Sequence, residues 1–238
     1  MPLDKETQKR IIGYASNHLR DLNWHIKYFD FVRDPKLRSR LGREFWAARF
    51  VYKSLEGLSA KDALLRTQIK IQILQYASIH EAVIHYLVFS VYRFHPESKS
   101  LSASVRRTKV SVSNELMNKL STQCNIPLEE IVVTRVRPDC ADLAKIRFDH
   151  KVEAAAKIGL IKPKLKKDLI TIYAARNAIH IHAEIRKDID YELGLSKMAY
   201  LRLKPLREQV LRKLIIDEKR HPSYLNFQGN INLLPNEL

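Results

Sequence analysis

Ile170-Thr171-Ile172-Tyr173-Ala174-Ala175-Arg176-Asn177-Ala178-Ile179-His180-Ile181-His182-Ala183-Glu184 sets an arginine, an asparagine and two histidines inside a segment that otherwise reads as a buried helix. Leu165, Leu169, Ile172, Arg176, Ile179 and Ala183 recur at helical spacing and form one stripe. A guanidinium and an amide on an apolar face are costly unless they are paired or used. On an unbroken helix Arg176 and His180 stand four apart and share a face. His182 lies roughly 240° round from Arg176 and joins it only where the helix breaks or loosens after Ile179.

Just upstream, Gly159-Leu160-Ile161-Lys162-Pro163 reads as a turn, with glycine ending one helix and proline in the first turn of the next. Lys157, Lys162, Lys164, Lys166 and Lys167 surround that turn with no acid between them in sequence. They are the densest basic cluster, about three turns ahead of Arg176 on a continuous helix.

The remaining pattern is also helical. Ile11, Ala15, Leu19, Leu22, Ile26 and Phe29 predict one helix, stopped by Asp34-Pro35. Leu37, Leu41, Phe45, Ala48, Tyr52 and Leu55 predict a second, ending near Gly57. Together they make a helical hairpin whose outer faces carry Arg20, Lys27, Arg33, Lys36, Arg38, Arg40, Arg43 and Arg49. Ser59 to Asp62 reads as a capping box. The helix it opens is the most hydrophobic of the chain, apolar on most faces, and is placed centrally in a bundle or at a dimer interface. It carries His80, Glu81 and His85 and ends before His95-Pro96. The stretch 98–113, rich in Ser, Lys and Arg, reads as a loop. Asn114 to Cys124 reads as a short helix with Leu116 and Leu120 inward. Ile131 to Thr134 suits a short strand or a helix, broken at Pro138-Asp139. Helical spacing resumes from Ala141 to Gly159. A last helix is capped by Ser196 and kinked at Pro205, after a loop marked by Asp188, Asp190 and Gly194. From His221 an extended tail is expected.

Composition agrees. Only 6 glycines in 238 residues, with 45% hydrophobic residues, suit a helical protein with a real core. Forty-two Lys and Arg against 26 Asp and Glu give a net charge of +16. That charge is spread along the chain, so it belongs to a folded surface and implies an anionic partner, nucleic acid first. No membrane span and no secretory leader are expected. Cys124 and Cys140 lack Cys-x-x-Cys spacing, which suits a reducing cytosol and gives no metal site.

The run from Phe148 to Ala183, with its Gly-Leu-Ile turn, lysine-rich helix start and Arg176-Asn177 followed shortly by histidine, resembles HEPN domains. The earlier helix with His80-Glu81-Ala82 resembles the preceding part of that family's bundle. The resemblance covers roughly Leu64 to Leu214, so the N-terminal hairpin lies outside it. It implies an all-α helical bundle of HEPN type, with an additional N-terminal hairpin (1–58), a HEPN-like domain (59–220), an extended tail (221–238) and at most one minor strand pair. It implies a homodimer and a cytoplasmic, metal-independent endoribonuclease without cofactor, of the kind found in phage defence and toxin–antitoxin systems, with an antitoxin or defence-system partner. Arg176 matches the motif arginine and Asn177 its polar follower. His182 fits the family spacing, and His180 falls short of it. Glu81 and Tyr173 become supporting residues, and the five lysines an RNA-binding surface for tRNA, mRNA or phage RNA. The alternative is an inactive HEPN-like binding or adaptor protein. A purely structural account pairs Arg176 with Glu81, Glu184 or another carboxylate, and has His180 hydrogen-bond a backbone carbonyl.

Overall fold

The computed structural model of the chain describes residues 2–179, 181–187 and 191–219. His180, Asp188, Asp190 and the stretch 221–238 lie outside the described residues. The architecture is mainly helical with one two-stranded antiparallel ribbon, as the periodicity predicts.

The first apolar run is two helices, not one: α1 (Lys5–Asn17) and α2 (Leu22–Lys27). Asp21 restarts the helix by accepting from the backbone N–H of Trp24 at 2.7 Å, a cap typically worth ~1 kcal/mol. Asp34-Pro35, read as the stop of the preceding run, instead opens α3 (Pro35–Gly57), and α2 already ends at Lys27. The Asp34 carboxylate accepts from Lys36 and Leu37 N–H at 2.8 and 3.1 Å, and Pro35 occupies the first turn. Gly42 lets α3 cross α2 closely, since a Cβ there would sit 2.5 Å from the Cα of Ile26. Around that crossing, Phe45 is fully buried among the rings of Trp24, His25, Tyr28, Phe29, Tyr76 and Tyr200, at centroid distances of 4.9 to 6.4 Å. Such aromatic pairs contribute about 0.5–1.5 kcal/mol each beyond their burial. Arg49, expected on the solvated outer face, is instead buried and lies over the Tyr200 ring at 5.6 Å.

α4 (Asp62–Tyr86) is the central helix, packing against α3, α7, α8 and α10. Its start departs from expectation. Lys61 precedes it without a side-chain cap, and the Ser59–Asp62 box gives way to a turn with positive φ at Ser59 (51°) and Asp62 (φ 49°). Leu64, Ile71 and Leu74 stay exposed, so the helix is not covered on every side. It runs into a π-helical turn, Leu87–Val91, and stops before His95-Pro96 as expected.

The stretch read as a loop is ordered: α5 (Pro96–Ser102) leads into strand β1 (Ala103–Lys109). α6 spans Asn114–Cys124 as expected, but it has no buried residue and Leu116 faces solvent. Pro138-Asp139 does not break the following segment. Both lie in β2 (Thr134–Cys140), with Pro138 opposite Val105, a position tolerated because each strand is an edge.

α7 begins only at Phe148 (Phe148–Ile158), so Ala141 to Arg147 is not helical. The turn after it matches the sequence reading. Gly159 takes φ +85°, Gly159 N–H bonds Ala156 O and Leu160 N–H bonds Ala155 O, each at 2.9 Å, which is a Schellman motif. Pro163 then opens α8 (Pro163–Asn177). α9 (Ile181–Lys187) is followed by α10 (Leu193–Leu201) and α11 (Leu203–Ile216). The predicted last helix is therefore split at Arg202, with Gly194 and Ser196 inside α10 and Pro205 in the first turn of α11. One hydrophobic core runs from Tyr28 to Leu214 through α3, α4, α7, α8, α10 and α11, leaving out α1 and α6. Arg207, 1% exposed, ties α11 to the N-terminal part by donating to Tyr28 O at 2.8 Å and to the Asp30 carboxylate at 3.1 Å.

Candidate functional site

α8 buries Leu165, Leu169, Ile172 and Ala175 and ends at Asn177. The last carbonyls are taken up locally. Ala178 N–H bonds Ala175 O at 3.1 Å, Ile179 N–H bonds Arg176 O at 3.4 Å, and the buried Tyr191 hydroxyl donates to Ala175 O at 2.9 Å. Tyr191 thus gives the Ala175 carbonyl a second donor beside Ala178 N–H and ties residue 191 to the end of α8. Arg176 sits in the last turn, where a cation is favoured by the helix dipole. α9 restarts at Ile181 and carries an exposed His182.

The Arg176 guanidinium is half-buried and held by neutral groups. Nη1 donates to Asn177 Oδ1 at 2.9 Å and to the Tyr173 hydroxyl at 3.4 Å, and the guanidinium lies 5.2 Å from the Tyr173 ring centre. Among the described residues no carboxylate forms an ion pair with it; the side chain of Glu184 lies outside them. Glu81, one of the acids the purely structural account offers it, is linked to Arg176 only through the Tyr173 hydroxyl. It accepts from the Tyr173 hydroxyl at 3.4 Å and meets the ammonium of Lys151 at 3.7 Å. Lys151 is 2% exposed, so Glu81 neutralises a buried cation. Burial first, then the Glu81 charge, raises the Tyr173 hydroxyl pKa, while Arg176 opposes the rise. The Tyr173 ring packs against Phe148, centroids 4.4 Å apart and planes tilted by 35°.

Beside this cluster opens a cleft of about 380 Å³, lined by Glu81, Lys145, Arg147, Phe148, Tyr173 and Asn177 among others. Arg147 at its rim grips Asp149 in a two-pronged pair at 3.1 and 2.7 Å, which holds the Asp149 carboxyl below its usual range. His85, one turn along α4 from Glu81, is pushed below the ordinary histidine value by burial and by Lys151, with Glu81 pulling it back.

The five predicted lysines stand at the other end of α8. Lys162, Lys164 and Lys167 are exposed. Lys166 pairs with Glu153 at 2.9 Å and Lys157 with Glu97 at 3.3 Å, so acids distant in sequence offset two of the five. Lys164 is roughly 18 Å along the helix axis from Arg176 at 1.5 Å per residue. The structure therefore brings Glu81, Tyr173, Arg176 and Asn177 together and sets the lysines apart. His180 lies outside the described residues. Sequence reasoning missed Lys151 and Tyr191. Lys151 meets Glu81 across 70 positions and the Tyr191 hydroxyl reaches Ala175 O across 16, and no local pattern signals either contact.

Among the described residues no three His, Cys, Asp or Glu side chains gather as a metal site, both cysteines are free and exposed, and no helix is long and apolar enough to cross a membrane. The chain matches no protein-family model, no curated protein and no solved structure.

Proposed function

We propose that the chain is a metal-independent endoribonuclease of HEPN type that acts as a homodimer, with Arg176, Asn177 and a histidine of the α8–α9 junction at its site. The observation that carries this reading is the state of Arg176. Its guanidinium is oriented by Tyr173 and Asn177, while the nearby carboxylate of Glu81 serves Lys151. A positioned guanidinium that no described acid neutralises is suited to phosphate oxygens as negative charge grows on them. A neutral histidine takes the proton from an RNA 2′-hydroxyl, the 2′-oxygen attacks its own phosphate, and a second acid–base group protonates the departing 5′-oxygen. A two-fold mate supplies that second group. Phage defence or toxin action, with an antitoxin or defence partner, is the biological setting this chemistry fits.

The test is cleavage of RNA by the pure chain in excess chelator. The expected products end in 2′,3′-cyclic phosphate, and RNA blocked at the 2′-oxygen stays intact. Arg176→Ala abolishes cleavage with an unchanged circular dichroism spectrum. Retained cutting by an Arg176→Ala, His180→Ala, His182→Ala triple variant sinks the site. A binding protein without cleavage is the second reading. It is favoured by the separation of the lysine cluster from Arg176, because RNA held by the lysines need not reach the α8 end.

A further inference from the structure

The segment 103–140 leaves the bundle and returns to it at one place. The backbone N–H of Ala141 donates to Ser102 O at 2.8 Å and closes the base of the excursion. Above it β1 and β2 pair from Ala103 opposite Cys140 to Lys109 opposite Thr134. Val110 N–H bonds Val133 O at 3.0 Å and extends the ladder towards α6. Every residue of β2 is exposed and α6 buries none. A two-stranded ribbon alone is marginally stable in water, and this one gains little from packing on the bundle.

Its composition adds to that cost. The strands carry Arg106, Arg107, Lys109, Arg135 and Arg137 against one acid, Asp139. Register fixes where the charges point. Arg107 lies opposite Val136, so Arg107 and Lys109 share one face with Val136, while Arg135 and Arg137 occupy the other. The ribbon is basic on both faces. The whole segment 103–140 contains no Phe, Tyr, Trp or His, so it offers no ring on which an unpaired base stacks. Val105 and Val136, 58% and 56% exposed, neighbour one another diagonally on the Arg107 face, and Val110, Leu116, Ile126, Leu128 and Val132 are 40–55% exposed elsewhere in the arm; a protein partner is the competing occupant, and unchanged hairpin affinity in the charge variants below would favour it.

A thin element with cations on both faces and no base-stacking group fits a slot between two phosphate walls. We propose that the 103–140 arm grips a groove of double-helical RNA through its two phosphate backbones, without reading sequence. The choice of RNA over DNA rests on the ribonuclease reading above. The arm then selects structured RNA, and the α8–α9 junction acts on the strand presented beside it.

Binding is measured by fluorescence anisotropy with the full chain at several salt concentrations. The probes are a 2′-O-methylated RNA hairpin, which resists 2′-hydroxyl attack, an unstructured strand of equal length, and a DNA duplex of the same sequence. The hairpin is expected to bind at least about tenfold tighter than the unstructured strand. Arg135→Glu with Arg137→Glu, and separately Arg107→Glu with Lys109→Glu, each weaken hairpin binding by about tenfold or more and lower the slope of log affinity against log salt by about 2. Joining Ser102 to Ala141 through Asn-Gly removes the arm and gives the same loss. Unchanged hairpin affinity in the two double variants overturns the proposal, as does tighter binding to the DNA duplex. The ribonuclease reading fails separately: arm-dependent hairpin binding without cleavage of native RNA refutes the nuclease and leaves the arm's role standing.

Discussion

Replacing Glu81 by glutamine removes one negative charge and almost no volume, at a point where the site touches the core. Lys151 is 2% exposed and its ammonium lies 3.7 Å from Glu81 Oε1. At an effective dielectric of 20 that separation gives an attraction of about 4.5 kcal/mol. Glu81 is itself 27% exposed in its side chain, and solvent reduces the figure, so a loss of about 2–3 kcal/mol is expected, just below the 3–5 typical when a buried pair loses one partner. Most of the loss comes from the stranded Lys151 charge. Lys151→Met, which leaves no cation to strand, therefore makes Glu81→Gln much less harmful. The measurement is urea unfolding of wild type, both single variants and the double variant, read as a double-mutant cycle. A coupling energy below about 0.5 kcal/mol would refute the assignment of Glu81 to Lys151. It would also reopen the pairing of Glu81 with Arg176, and with it the case for a purely structural arginine.

Two further outcomes follow from the same geometry. Tyr191→Phe removes the hydroxyl that caps Ala175 O at 2.9 Å; a loss of about 1 kcal/mol is expected, together with slower RNA cleavage, and an unchanged rate would separate Tyr191 from the positioning of Arg176. Stability should also fall on mild acidification. Burial keeps His25 and His80 neutral in the fold, with pKa values lowered from 6.5 to about 4 and about 3. The unfolded rings take up protons once pH drops below 6.5, so the full stability holds above that value and is lost as pH falls towards the folded values. Each histidine contributes a slope of up to about 1.4 kcal/mol per pH unit. Unfolding free energies that stay flat between pH 6.5 and about 5.5, a range above most carboxylate titration, would contradict this, and His80→Leu should shallow the slope.

What the sequence made legible was whatever short-range pattern controls. Gly159 ends α7 and Pro163 opens α8, because caps and turns are settled by three or four neighbouring residues. Apolar spacing also identified α4 as central. The failures share a different cause. α1 and α2 keep a common apolar register across Asn17 to Asp21, so periodicity reads through a break that Asp21 imposes as a cap. The minor strand pair allowed for is present, but its place was not legible, because two mostly polar, exposed strands show no clear alternation of buried apolar and exposed polar residues. At the site, Arg176, Asn177, Tyr173 and Glu81 were all picked out, but the partner of Glu81 was not. An ion pair between α4 and α7 depends on how helices cross, and spacing along either helix carries no record of it.

The histidine question changes form for the same reason. On an unbroken helix the rotation of 100° per residue favours His180 and turns His182 away from Arg176. That rule applies only as far as helical geometry continues, and α8 stops at Asn177. From Ala178 the backbone leaves the helix, and α9 begins a new one at Ile181. The geometric objection to His182 loses its premise, while the HEPN-like spacing that favours His182 is untouched. His182 therefore becomes the stronger candidate for proton transfer. Separate His180→Ala and His182→Ala variants decide it: loss of cleavage in the first alone, with the second unaffected, would return the role to His180.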